Sequence, residues 1–392
     1  MCSARCGPLG ARWPDSFDRL LGVSTSEAVI DLDAIRDNVA GMCANTTAEV
    51  MAVVKADGYG HGLLPAARAA IAGGATWLGV AQLDEALALR AAGILVPTLA
   101  WLWAPDEAAA VGRALAADID VSVSAPWALD IVRARANGRV ARIHLKVDTG
   151  LSRNGAYGAD WLALVAAAAR AEASGEVRVI GIWSHFAYAD EPGHPTIAKQ
   201  IAVFTAAVTA AADNGVVPQY RHLANSAATL TLPEAHFDLV RPGVAVYGLN
   251  PVPCVPAPGL RAAMTLRSHV ALAKRVGAGE GVSYGHQYTT AEPTALALVP
   301  MGYADGIPRN ATNVGPVSVA GQAGVISGRV CMDQFVVDLG PGSTVVAGDE
   351  VVLFGADGPS AQDWADATDT IHYEIVTRIG ARVPRRYVGE GV

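Results

Sequence analysis

The sequence is short of positive charge: 29 Lys plus Arg stand against 37 Asp plus Glu, a formal net charge of −8. That balance excludes a global attraction for nucleic acid phosphates. Cysteine is sparse, and Cys2, Cys6, Cys43, Cys254 and Cys331 are odd in number, scattered and never in a C-x-x-C pair. That pattern fits reduced thiols in a cytoplasm better than a disulfide framework, and it offers no obvious zinc ligand set. No uncharged stretch approaches the roughly 18 to 20 apolar residues of a membrane span. The segment from Met1 to Thr25 carries Arg5, Arg12, Asp15, Asp18 and Arg19 and lacks the apolar centre of a secretory signal. The expectation is a soluble, cytoplasmic protein with no membrane partner and no metal. No Gly-x-Gly-x-x-Gly follows a strand-like run, which argues against a dinucleotide-binding sheet.

What is present is a long apolar pattern, 52% hydrophobic over 392 residues, enough for one large domain and a smaller one. From Glu49 to Leu249 a short apolar run of strand length is followed repeatedly by an Ala/Leu/Arg pattern of helical length. The runs are Val50 to Val54, Thr76 to Val80, Thr98 to Leu102, Val121 to Val123, Ile143 to Leu145, Val179 to Trp183, Tyr220 to Leu223 and Val244 to Tyr247. Helical stretches between them include Leu63 to Ala72, Asp84 to Ala92, Glu107 to Ala116 and Ile201 to Asn214. Eight such units predict an α/β fold, a (β/α)8 TIM-type barrel. After about Asn250, Pro and Gly space short β-branched runs, Val276 to Val282, Ala295 to Val299, Val317 to Val319, Val346 and Val351 to Phe354. These predict a smaller mostly-β C-terminal domain. The expected division is an N-terminal extension over 1–27, the barrel over 28–250 and the β domain over 251–392, with the Pro251 to Pro258 loop as boundary. The strand Ala28 to Leu32 precedes the barrel and could instead join the second domain.

In such a barrel the reactive groups gather at the C-terminal strand ends. Lysine is rare, only Lys55, Lys146, Lys199 and Lys274. Lys55 ends the first strand and opens the glycine-rich loop Ala56-Asp57-Gly58-Tyr59-Gly60-His61-Gly62. An amine desolvated at an apolar mouth is more easily neutral and nucleophilic. Later strand ends supply Lys146 and Arg153, then Ser184-His185, then Asn225-Ser226, and strand eight begins near Arg241-Pro242-Gly243. Each alone reads as a structural residue, but five polar strand ends in one barrel point to a site.

The segment Val53-Val54-Lys55-Ala56-Asp57-Gly58-Tyr59-Gly60-His61-Gly62 resembles the cofactor attachment segment of the alanine racemases, a pyridoxal-phosphate-dependent family of barrel plus β-domain architecture. The resemblance continues through Asp148-Thr149-Gly150 with Arg153, Ser184-His185-Phe186, His222-x-Ala224-Asn225-Ser226, Val240-Arg241-Pro242-Gly243, Ser283-Tyr284-Gly285, Gly302-Tyr303-Ala304-Asp305-Gly306, Cys331-Met332-Asp333 and Arg382-Val383-Pro384-Arg385. It spans about Ala28 to Tyr387 and leaves the N-terminal extension unaccounted for.

The resemblance implies an isomerase that interconverts L-alanine and D-alanine, using pyridoxal 5'-phosphate, to supply D-alanine for peptidoglycan. It implies that Lys55 bonds to the cofactor aldehyde, with Tyr59, Ser226, Gly243, Val244 and Tyr373 around the phosphate and Arg241 at the pyridine nitrogen. Arg153 stands by the cofactor phenolate and substrate carboxylate. Racemisation needs an acid/base on each face of a planar carbanion, and the resemblance makes these Lys55 and Tyr284, supported by His185 and Arg241. It places Tyr284, Tyr303, Met332 and Asp333 in the partner subunit of a homodimer, with Met332 as a backbone donor to the substrate. It also matches Lys146 to a position carbamylated in some relatives, and Asp190, Tyr303, Arg309 and Arg329 to a narrow entrance. Of the rivals, a non-catalytic cofactor carrier would not need the second-domain segments, and a decarboxylase of like architecture acting on basic amino acids would be expected to carry an acidic substrate pocket. A Schiff-base aldolase carries its lysine on a later strand.

Overall fold

The computed structural model describes residues 26–257 and 259–390. The expected extension over 1–27, with Cys2 and Cys6, thus falls almost wholly outside the described residues. Eight parallel strands form one sheet in the spatial order Tyr220–His222, Val177–Trp183, Ala141–Lys146, Asp120–Val123, Thr98–Ala100, Trp77–Val80, Glu49–Val53 and Leu239–Val240. The two ends of the sheet meet where the Asp238 N–H donates to Arg221 O at 3.1 Å and the Arg241 N–H to Ala224 O at 2.9 Å. The sheet therefore closes as a barrel, because this is the one arrangement that leaves no unpaired edge.

The helices that follow the strands lie outside. Leu63–Ala72 buries Ala66, Ala67, Ala69 and Ala70, and these small side chains let it pack close to its neighbours. Pro195–Asp213 is long and apolar enough by length and composition to cross a bilayer. It nevertheless carries Lys199 and turns Ile197, Gln200, Phe204, Ala207 and Ala211 inward, one face of an amphipathic barrel helix.

One strand differs from the reading of the sequence. Val244–Tyr247 is a 3-10 helix, and the eighth strand is the earlier pair Leu239–Val240, so that Arg241 follows the strand instead of beginning it. Val244, Ala245, Val246 and Tyr247 are all fully buried, and a four-residue run buried on every side has no period to separate strand from helix. Pro242 then withholds a ladder donor at the point where the chain turns.

The second domain has a six-stranded sheet in the order Gln322–Val325, Pro316–Val319, Glu350–Phe354, Met264–His269, Glu27–Asp31 and Arg385–Val388, with a three-stranded sheet of Leu272–Val276, Thr294–Val299 and Phe335–Asp338. Glu27–Asp31 pairs antiparallel with Met264–His269 and parallel with Arg385–Val388, so the strand before the barrel belongs to the second domain's sheet. Its Asp31 then caps Leu32–Ala44, accepting from the Ala34 N–H at 2.9 Å, and leads the chain back to the barrel. The run Val276 to Val282 is mostly a turn between strands, and Val346 lies in a loop.

Candidate active site

A cavity of about 450 Å³ opens at the C-terminal ends of the barrel strands. Lys55, Lys146, Arg153 and Arg241 all line it, and no Asp or Glu does. Four basic side chains around a carboxylate-free space make a receptor for an anion.

Each group is placed by local chain geometry. After Lys55 the backbone runs left-handed through Ala56, Asp57, Gly58 and Tyr59, with φ of 53°, 53°, 61° and 53°. Three of these are not glycine, so the loop stores strain of ~1–2 kcal/mol at each. Hydrogen bonds hold it: Glu85 Oε1 accepts from the Ala56 N–H at 2.6 Å, and Asp57 Oδ1 from the Leu63 N–H at 2.7 Å. Lys55 Nζ thereby sits 5.9 Å from the Trp101 ring centre and 6.0 Å from that of Tyr59. Desolvation, then the Arg153 charge, lower its pKa, with Glu85 opposing. Tyr59 is buried, and its hydroxyl rests on Gly243, where a Cβ would lie 2.3 Å away; only glycine permits that approach. Ser226 Oγ accepts from the Gly243 N–H at 2.7 Å and ties the last strand end to its neighbour.

Lys146 ends Ala141–Lys146 with its Nζ 4.1 Å from the Trp183 ring centre. Burial and the Arg241 and Arg153 charges push its pKa down to about 7. Arg153 rises from a loop pinned by Asp148, whose Oδ1 accepts from the N–H groups of Gly150, Leu151 and Ser152. His185 stands 3.4 Å from Arg241 Nη2, and burial followed by that charge holds its pKa well below the ordinary range.

Arg241 is buried and anchored by a chain running down the barrel axis. Its Nη2 donates to Ser184 O at 2.7 Å, and its Nη1 to His222 Nδ1 at 3.3 Å. His222 Nε2 meets His144 Nδ1 at 2.9 Å, and His144 Nε2 meets Asp120 Oδ2 at 3.0 Å. Proton bookkeeping fixes every direction. Arg241 only donates, so His222 Nδ1 accepts, its Nε2 carries the proton and donates to His144 Nδ1, and His144 donates to Asp120. Burial alone would raise the Asp120 carboxyl, but the hydrogen bonds from His144 and Arg142 outweigh it and hold the pKa below the usual value.

The structure thus brings Lys55, Tyr59, Lys146, Arg153, His185, Ser226, Arg241, Gly243, Val244 and Tyr373 to one cavity wall. Tyr284, Tyr303, Met332, Asp190, Arg309 and Arg329 do not line it. Tyr284 begins the turn Tyr284–His286 and is 71% exposed, as Met332 and Tyr303 are at 53% and 43%. This surface is held firmly: Ser283 Oγ donates to Arg329 O at 2.7 Å, and the Tyr303 and Ala304 N–H groups to Cys331 O and Met332 O at 3.0 Å. Reading the sequence for strand ends missed the supporting chain of Asp120, His144 and His222. Its signal was there, as polar residues at inward positions of otherwise apolar strands.

Two family models cover the chain, "Alanine racemase, N-terminal domain" over residues 30–251 and "Alanine racemase, C-terminal domain" over 263–387. The alanine racemase of Frankia casuarinae is 61% identical over 92% of this chain and 96% of its own length. The crystal structure of alanine racemase from D-cycloserine producing Streptomyces lavendulae superposes with a TM-score of 0.90 at 57% identity, covering 93% of this chain and 97% of that one. That from Streptomyces coelicolor A3(2) gives 0.91 at 55%, covering 93% and 98%. With both domains matched, and the relatives covered almost end to end, the chain belongs to the alanine racemase family.

Proposed function

We propose that this protein interconverts L-alanine and D-alanine with pyridoxal 5'-phosphate held at Lys55, as a cytoplasmic homodimer that supplies D-alanine for peptidoglycan. The observation that carries this reading is the partly desolvated Lys55 amine in a cavity walled by basic side chains and free of carboxylates. Such a wall suits an anionic, aldehyde-bearing cofactor. Tyr59, Ser226, Gly243, Val244 and Tyr373 lie together on it, as a phosphate cradle requires. When bound, the cofactor supplies the electron sink that makes the substrate α-proton removable.

The remaining work falls to the chain's own residues. Arg241 keeps its protons at any accessible pH, so it donates to the ring nitrogen without protonating it. The chain through His222 and His144 to Asp120 holds its fork in place. Arg153 presents a planar fork to the substrate carboxylate, joined by the Met332 backbone of the second subunit. Lys55 Nζ, with its charged form disfavoured, takes or returns a proton on one face. Tyr284 of the other subunit serves the opposite face, supported by His185. Its exposure on a well-pinned surface is what a residue delivered across a subunit contact would show in a single chain. Asp190, Tyr303, Arg309 and Arg329 are assigned to the entrance, and the unpaired Cys43, Cys254 and Cys331 accord with a reducing compartment.

The test is L-alanine in heavy water with purified protein. Loss of optical rotation together with deuterium at Cα is expected. A preparation that stays colourless after reconstitution with pyridoxal 5'-phosphate would overturn the assignment.

A further inference from the structure

Trp183 ends the strand Val177–Trp183 and is buried, on the same face of that strand as Gly181. Groups from five other barrel strands or strand ends converge on its indole. The ring N–H donates to Ser122 Oγ at 3.0 Å, which fixes the plane of the ring. The His222 ring lies parallel to it at 5.7 Å, and Trp101 tilts against it at 6.0 Å. Lys146 Nζ stands over it at 4.1 Å and Arg241 Cζ at 4.9 Å.

Arg241 needs such a neighbour. It is buried, and each hydrogen-bond acceptor it meets is neutral: Ser184 O at 2.7 Å, Leu223 O and His222 Nδ1 at 3.3 Å, and His185 Nδ1 at 3.4 Å. Burial and the Arg241 charge itself keep both imidazoles from charging. No carboxylate lines the cavity, and Asp120 lies two imidazoles further down the chain. A buried cation without a counter-ion is costly. The negative face of an indole offsets part of that cost, and 4.9 Å is within the reach of about 6 Å over which it acts. Lys146 shares the ring, but burial and the Arg241 charge disfavour its charged form, whereas a guanidinium stays charged.

We propose that Trp183 is a positioning residue whose ring face holds the charged Arg241 guanidinium in place at the cavity wall. A ring that only filled volume would be replaceable by any group of its shape; one acting through its π charge would not. The consequence for racemisation rests on the role proposed for Arg241, while the contact itself does not.

Tryptophan carrying one, two or three ring fluorines, introduced at position 183 alone, nearly preserves the shape and weakens the negative face stepwise. Fluorine also makes the indole N–H a stronger donor to Ser122, so a loss cannot come from that bond. In the cofactor-loaded protein the unfolding equilibrium constant, measured in denaturant, is expected to rise with each fluorine, ~5-fold at three. The trend should persist in Lys146→Met and vanish in Arg241→Met, or in Arg241→Gln if Arg241→Met does not fold. The kcat for alanine should fall in parallel, with KM held within about threefold. A flat stability series, a trend that survives loss of Arg241, or a kcat indifferent to the fluorines in active protein would overturn the proposal. A stability trend in protein that racemises nothing would uphold the contact and count against the proposed function instead.

Discussion

His222 Nε2 donates to His144 Nδ1 across 2.9 Å in the centre of the barrel, and the contact exists because residue 181 has no side chain. A Cβ at Gly181 would stand 2.3 Å from His144 Nδ1 and 2.9 Å from His222 Nε2. Gly181→Ala must therefore separate the imidazoles and disturb the His222 contact of Arg241, leaving its bond to Ser184 O. The expected result is a loss of ~1–3 kcal/mol in stability, read from the denaturant midpoint, with a lower kcat.

Asp120 terminates that chain, and its ionised carboxylate accepts the His144 proton. Asparagine can offer an N–H in its place, which would reverse both tautomers and set a protonated His222 Nδ1 against the Arg241 donor. Asp120→Asn is expected to lower kcat ~10-fold or more while KM for alanine changes less than threefold. An unchanged kcat would show that the chain does not position Arg241.

Tyr284→Phe removes one oxygen from an exposed ring. Stability is expected within about 0.5 kcal/mol of the parent, and the cofactor's visible absorption is expected to persist. Racemisation should fall ~100-fold or more through loss of one acid/base, measured polarimetrically from both enantiomers. Lys55→Ala, in contrast, should fail to hold the cofactor covalently, as borohydride treatment followed by peptide mapping would show.

Lys146 is the lysine whose pKa burial and Arg241 carry down to about 7. An ordinary lysine is almost wholly charged at pH 7.5, whereas this one is brought into the range where the neutral amine is well populated. The neutral amine is the form that takes carbon dioxide, releasing a proton, so carbamate should build up as pH rises through neutrality. Native mass spectrometry is expected to show the mass of one carbon dioxide, lost on acid treatment and absent in Lys146→Arg. The sign for stability is the same. Between about 7 and 10.5 the unfolded chain holds the Lys146 proton and the folded chain does not, so in carbon-dioxide-free buffer stability rises with pH across that window. Lys146→Met should flatten that rise in denaturant melts.

How much of this was open to sequence reading follows from the range of the forces. Alternation of short apolar runs with Ala-rich helical stretches set the barrel, because strand and helix periods are local properties of the chain. The position of Lys55 at a strand end followed from the same pattern, and the order of the motifs pointed to the family. Only the folded chain decided that Val244–Tyr247 is helical, since burial on all sides erases periodicity. The same holds for Glu27–Asp31, whose partners begin 237 and 358 residues further on, at Met264 and Arg385. The chain from Arg241 to Asp120 draws on four strands or strand ends, and the groups packed on Trp183 come from residues as far apart as Trp101 and Arg241. Hydrogen-bond direction, desolvation and the seating of a cation on a ring depend on distances of a few ångströms across such separations. Those distances are products of packing, and no local pattern of residues encodes them.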